Sequence, residues 1–246
     1  MPVRSGQNQF FVRGKAMSSG NVFERLFKLW ANICKLTLDG KRATEDVCNI
    51  LQAIVDGKRL VEAKPTIEEI LADWARFYKE VFCLDLDFSG VIIPERKPGF
   101  DRLLVIAQGM THQRLFDKCK ELFPSWKYTN SNLDEIIKSD RTSQNGHYAI
   151  WVRDRVEADE ENKNLSADQL KERGTPEITL EEREAYELKF FKETGDHLDK
   201  SNRTHCTGSR FSDGSVPHAS WFGRFGVNWY DSYDRNVHLR SRSVVS

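Results

Sequence analysis

Thr204 to Asp234 reads THCTGSRFSDGSVPHASWFGRFGVNWYDSYD, and it carries no helical period. Gly208, Gly214, Gly223 and Gly226 punctuate it, and seven aromatics from Phe211 to Tyr233 are scattered among Ser, Asn, Asp, His and Arg. Glycine-punctuated short runs rich in aromatics read as strands joined by turns. Val216, Trp221, Phe225, Val227, Trp229, Leu239, Val244 and Val245 are expected to be the inward set of a few short strands. Alternation along a strand then sends the neighbours of Trp229 to the other side. Residues 200–246 are therefore expected to be a β-rich module with Trp221 and Trp229 buried. Tyr230, Asp231, Tyr233, Asp234 and Asn236 are expected on one exposed surface. Tyr, Ser, Asn and Asp supply flat contact area and adaptable hydrogen bonding, the composition of paratopes. Asn228, Tyr230, Asp231, Tyr233, Asp234, Asn236 and His238 are accordingly the expected binding residues.

Upstream the chain reads as helices. Residues 1–20 show no periodicity and are expected to be a disordered leader, with Met17 an alternative start to Met1. From Asn21 to Leu38, Phe23, Leu26, Phe27, Trp30, Ile33 and Cys34 recur at helical steps. Thr44 is the expected cap of a second helix closed by Gly57, and Thr66 with Glu69 forms a capping box for a third. These three make an expected helical unit over residues 21–83.

Residues 84–199 switch pattern and read as an α+β region, a small sheet backed by helices. Val91–Ile93, residues 103–107 and residues 147–153 are the expected strands. Helices are expected from Thr111 to Phe123, over 131–138 capped by Ser131, after Ser166, and from the Thr179–Glu182 capping box to Gly195. The fold class is thus α+β.

Across 246 residues, 37 basic side chains balance 37 acidic ones, which argues against nucleic acid as a partner. The balance is uneven along the chain. Residues 151–199 hold eight basic and fifteen acidic side chains, a net of −7, and residues 200–246 hold seven and three, a net of +4. No apolar run approaches the roughly 20 residues that a membrane-spanning helix needs. The five cysteines are widely spaced without a Cys-x-x-Cys pair, which predicts free thiols in a cytoplasmic protein.

No stretch carries a specific catalytic signature. Asp154, Glu157, Asp159, Glu160 and Glu161 follow an expected strand, where metal-dependent hydrolases and nucleases place carboxylates. Their spacing fits no named metal motif, and a solvated acidic cluster explains them more simply. His205-Cys206 has the residue types of a nucleophile pair or zinc site, but adjacent strand residues face opposite ways. No cofactor and no metal site are expected.

Four blocks, Asn21–Trp30, Gly99–Gly109, Gly146–Glu161 and Leu239–Ser246, resemble an uncharacterised protein family of uncultivated candidate-phylum bacteria. That resemblance spans residues 20–246 and brings no activity with it. The tail also resembles C-type-lectin-like variable proteins diversified by retroelements. Trp221, Trp229, the 228–238 run and Leu239-Arg240-Ser241-Arg242 carry this likeness, while the usual Gly-Phe-Arg-type ending is absent.

The expected function is non-enzymatic recognition of a protein or other ligand through the C-terminal aromatic-polar surface. The alternative is a metal-dependent hydrolase or nuclease using the 154–161 carboxylates.

Overall fold

The computed structural model describes residues 19–40, 42–56 and 64–246. The expected leader thus falls outside the described residues up to residue 18, as do Met17 and the helix-closing Gly57. The chain divides into two units, residues 1–64 and 65–246.

The first unit contains α1 (Ser19–Leu38) and α2 (Thr44–Val55). The break between them uses Gly40 in the left-handed region, where a side chain is disfavoured. Ala43 occupies the N-cap of α2 without a side-chain bond, so Thr44 is its first helical residue rather than its cap. Acids Glu45 and Asp46 still sit in the first turn, favourably placed for the helix dipole. No side chain of α2 is buried.

The second unit is α+β. It opens with α3 (Ile67–Phe82), started by the Thr66–Glu69 capping box, and continues through β1 (Arg102–Ile106) and α4 (His112–Leu122). Next come β2 (Ser125–Lys127), α5 (Leu133–Ile136), β3 (Ile137–Ser139), β4 (Tyr148–Val152) and α6 (Ala167–Glu172). The last part comprises α7 (Leu180–Thr194), β5 (Arg203–His205), β6 (Ser209–Phe211), β7 (Val216–Trp221), β8 (Phe225–Tyr230) and β9 (Leu239–Arg240). No described helix is long and apolar enough to cross a membrane.

The strands form three sheets. β1 pairs antiparallel with β4, β3 pairs antiparallel with β6, and five strands lie in the order β2-β8-β7-β5-β9. Val91–Ile93 joins none of them: Val91 N–H closes a turn onto the Phe88 carbonyl, and Pro94 follows. The expected helix over 131–138 is one turn, capped by Asn132 instead of Ser131 and ended where Ile137 enters β3.

The third helix of the expected 21–83 unit contributes to the core of residues 65–246. Trp74 Nε1 donates to the Leu103 carbonyl (3.1 Å) and Tyr78 Oη to the Val105 carbonyl (2.8 Å), so its aromatic stripe is bonded to β1 as well as packed on it. At the centre lies α7, against α4, β1 and β7. Its start is the expected capping box, and Gly195 ends it in the left-handed region. All residues from Leu180 to Lys189 are buried, although six of the ten are charged. Glu182, Arg183 and Lys189 find partners from distant segments in Arg141, Asp199 and Asp73, whereas the Glu184 carboxyl is buried without a hydrogen-bond partner among the described residues.

Candidate functional site: the outer face of the C-terminal sheet

The site begins with the register of β7 and β8. Ala219 pairs with Val227 and Trp221 with Phe225, and these residues face the core. On the opposite face His218 pairs with Asn228, Ser220 with Gly226 and Val216 with Tyr230. β5 adds His205, the cross-strand partner of His218. β2 adds Trp126 opposite Gly226.

Two features occupy that outer face. The first is an aromatic–imidazole cluster: Tyr230 stacks on His218 (centroids 4.6 Å apart) and meets His205 edge-on. Both histidines are buried, and burial pushes each imidazole down to about 3, so they are neutral near pH 7. Neither nitrogen of His205 has a hydrogen-bond partner, nor has Nδ1 of His218. The second is a cleft of about 230 Å³ lined by Trp126, Arg203, His218, Ser220, Phe222, Arg224, Gly226 and Asn228.

The loop after β8 covers the cluster and is fixed by its own polar side chains. Tyr233 Oη donates to Asp231 Oδ2 (2.8 Å), Asp231 N–H to Asp234 Oδ2 (3.1 Å) and His238 N–H to Asn236 Oδ1 (2.8 Å). Two bonds tie it to the N-terminus of α6: Ser232 Oγ donates to Asp168 Oδ2 (3.0 Å), and Asp168 N–H donates to the Ser232 carbonyl. Arg203 N–H anchors the far end through the His238 carbonyl (2.8 Å).

The expected binding residues therefore come together around β8 and this loop, with different exposures. Tyr233 is 69% exposed and His238 is exposed; Asn228, Tyr230, Asp231, Asp234 and Asn236 are half-buried. Trp221 is only partly buried and stacks on His197. Trp229 corrects the sequence reading: it shares the inward parity of Phe225 and Val227 but is 41% exposed. It lies towards the end of β8, with Tyr128 as an edge-on aromatic neighbour. Of the large apolar side chains exposed within residues 65–246, six of nine (Trp126, Tyr128, Phe222, Trp229, Tyr233, Val237) come from the five-stranded sheet and its loops. Such clustering marks interaction surfaces, whereas scattered exposed apolar residues do not.

Sequence reasoning missed the cleft. Arg203, Ser220, Phe222 and Arg224 become neighbours only through strand register, and β2, which brings Trp126, is three residues long. A two-residue alternation over His218, Ser220, Phe222 and Arg224 was the available signal.

The 154–161 carboxylates lie elsewhere, after β4. Glu157 accepts from the backbone of Ser201 and Asn202 and from Asn202 Nδ2. Asp159 pairs with Arg153 and accepts from Ser243 N–H. Glu160 pairs with Lys163 and Arg240, and Glu161 makes a two-pronged bond to Arg155 that, with its other contacts, holds its carboxyl down at about 2. These acids act as structural partners for arginines and backbone. Among the described residues, no group of three His, Cys, Asp or Glu side chains converges as metal ligands do.

One nucleophile-like pair occurs: Ser139 Oγ lies 3.1 Å from His112 Nε2. Its other contact is Ser209 Oγ (2.6 Å), which accepts from Leu180 N–H at the start of α7. A nucleophile's base needs a third group to orient it, and His112 Nδ1 is buried without a partner. Burial also pushes His112 down to about 4. The chain of hydroxyls joins β3 and β6 to α7. Cys206, adjacent to His205, points into the core, and burial pushes its thiol far up.

Comparison of the chain with protein-family models, curated proteins and solved structures finds no match.

Proposed function

We propose that the protein is a non-enzymatic recognition protein that holds a protein or other ligand on the surface formed by the end of β8 and loop 231–238. One observation carries this reading. The loop is fixed by side-chain hydrogen bonds at 2.8–3.1 Å while presenting Tyr233 to solvent at 69% exposure. A surface already ordered before binding avoids much of the entropy cost of immobilising loops and side chains. Tyr and Trp with Asp, Asn and Ser provide large rigid contacts beside adaptable polar ones. Unpaired cysteines, with Cys119 and Cys206 buried as thiols, fit a reducing compartment and support a cytoplasmic location.

The test is affinity capture from cytoplasmic extract with parent protein, Tyr233→Ala, and Lys97→Ala as a remote control. The reading expects a partner whose binding, re-measured with the purified partner, is lost in Tyr233→Ala and retained in Lys97→Ala. Partners that ignore Tyr233→Ala would contradict it.

A further inference from the structure

The cleft between β2, β7 and β5 has a chemistry distinct from the loop beside it. Two guanidinium groups flank it, and each lies over an aromatic ring: Arg203 over Phe222 (5.0 Å to the centroid) and Arg224 over Trp126 (5.2 Å). Neither arginine forms an ion pair among the described residues, and no acidic side chain lines the cleft. By contrast, Arg155, Arg183 and Arg242 are neutralised by Glu161 and Asp199. His218, only 5% exposed, also lines the cleft, and its Nδ1 has no hydrogen-bond partner among the described residues. A buried polar atom without a partner is costly unless a ligand or water supplies the bond.

These elements specify a ligand. Two unneutralised guanidiniums on one small cleft favour an anion, because their planar forks match phosphate and carboxylate oxygens. Trp126 and Phe222, both exposed at the rim, each carry a guanidinium over the ring and leave further aromatic surface for contact with a flat ligand. We propose that this cleft binds a small molecule carrying a phosphate or carboxylate on a flat ring, with Arg203 and Arg224 holding the anion. Trp126 and Phe222 flank the ring, and His218 and Ser220 line the floor. The proposal goes beyond the recognition surface and stands without it, since Tyr233 and loop 231–238 do not line the cleft.

Isothermal titration of the full chain with phenyl phosphate, benzoate, inorganic phosphate and benzyl alcohol tests it. Phenyl phosphate or benzoate is expected to bind at one site, and the tighter of the two identifies the anion. Inorganic phosphate is expected to bind more weakly than phenyl phosphate, and benzyl alcohol not at all. Arg203→Gln and Arg224→Gln are each expected to weaken binding about tenfold. Trp126→Ala is expected to bring a ring anion down towards the affinity of the bare anion, and Tyr233→Ala to leave binding unchanged. Circular dichroism establishes that each variant is folded. Absence of binding by both ring anions at millimolar concentration would overturn the proposal. So would unchanged affinity in a folded Arg203→Gln/Arg224→Gln double variant, or equal affinity for benzyl alcohol.

Discussion

Arg183 and Asp199 meet in the interior with no exposed side-chain surface, Nε to Oδ2 at 2.9 Å. Arg183 also reaches Glu187 (2.7 Å), whose other oxygen contacts His197. Asp199 is approached from the other side by Arg242 Nη2 (2.7 Å), and Ala158 N–H and Thr204 Oγ1 also donate to it. Burial works against its charge, but Arg242 and Arg183 hold the carboxyl below the ordinary range. The network joins α7, the 155–158 segment, β5 and the segment after β9, next to the sheet whose outer face is the proposed site. Breaking a buried pair leaves an uncompensated charge. Arg183→Met and Arg242→Met are each predicted to lower unfolding stability by about 3–5 kcal/mol. Urea denaturation checks this; a loss below about 1 kcal/mol, the value of an exposed pair, would contradict it.

Two glycines make contrasting predictions. A Cβ on Gly208 would lie 2.6 Å from the Glu177 carbonyl and 3.1 Å from Thr179 Cγ2, against the start of α7. A Cβ on Gly226 would meet the Trp126 ring and the Ser220 carbonyl no closer than 3.9 Å. Gly208→Ala is predicted to destabilise by about 1–3 kcal/mol, because rigid backbone must move to admit the methyl group. Gly226→Ala is predicted to have a smaller effect. Thermal melts of the two variants side by side give the comparison, and equal losses would be incompatible with this packing.

Buried acids and buried histidines oppose one another in pH dependence. Burial raises Glu181 from 4.5 to about 7, against bonds from Ser143 that favour its charged form. A raised carboxyl contributes stability below 4.5, and that contribution is lost as pH rises through 7. His205 and His218, lowered from 6.5 to about 3, contribute stability above 6.5 that is lost as pH falls towards 3. Glu181→Gln keeps an oxygen for Ser143 and removes one titration. The stability of Glu181→Gln relative to the parent is therefore predicted to rise by about 2–3 kcal/mol between pH 5 and pH 8. Denaturation curves at the two pH values measure it; a pH-independent difference would show that Glu181 titrates normally.

Local signals were readable in the sequence. The capping boxes at Thr66–Glu69, Ser166–Gln169 and Thr179–Glu182 all form, and residues 103–106 and 148–152 are strands. What failed depended on distant partners. Glu181, Arg183, Glu184 and Glu187 carry no local sequence signal of burial, yet they are buried. For Arg183, the partner Asp199 lies beyond the end of the helix and is shared with Arg242, near the C-terminus. Trp229 failed for a related reason. Its parity was readable, but where β8 leaves the core depends on neighbouring segments. The expected binding residues lie together around β8 and its loop, but the register that sets Asn228 opposite His218 was not visible in the sequence.

The proposed recognition surface is tested most directly by photo-crosslinking from position 233. Benzoylphenylalanine replaces Tyr233, which is exposed at the centre of the loop, and replaces exposed Lys171 on α6 as the control. Both proteins are irradiated in whole-cell extract. The account predicts a discrete crosslinked species from position 233 that is absent from position 171 and is competed away by excess parent protein. No crosslink from position 233, or the same species from both positions, would contradict it.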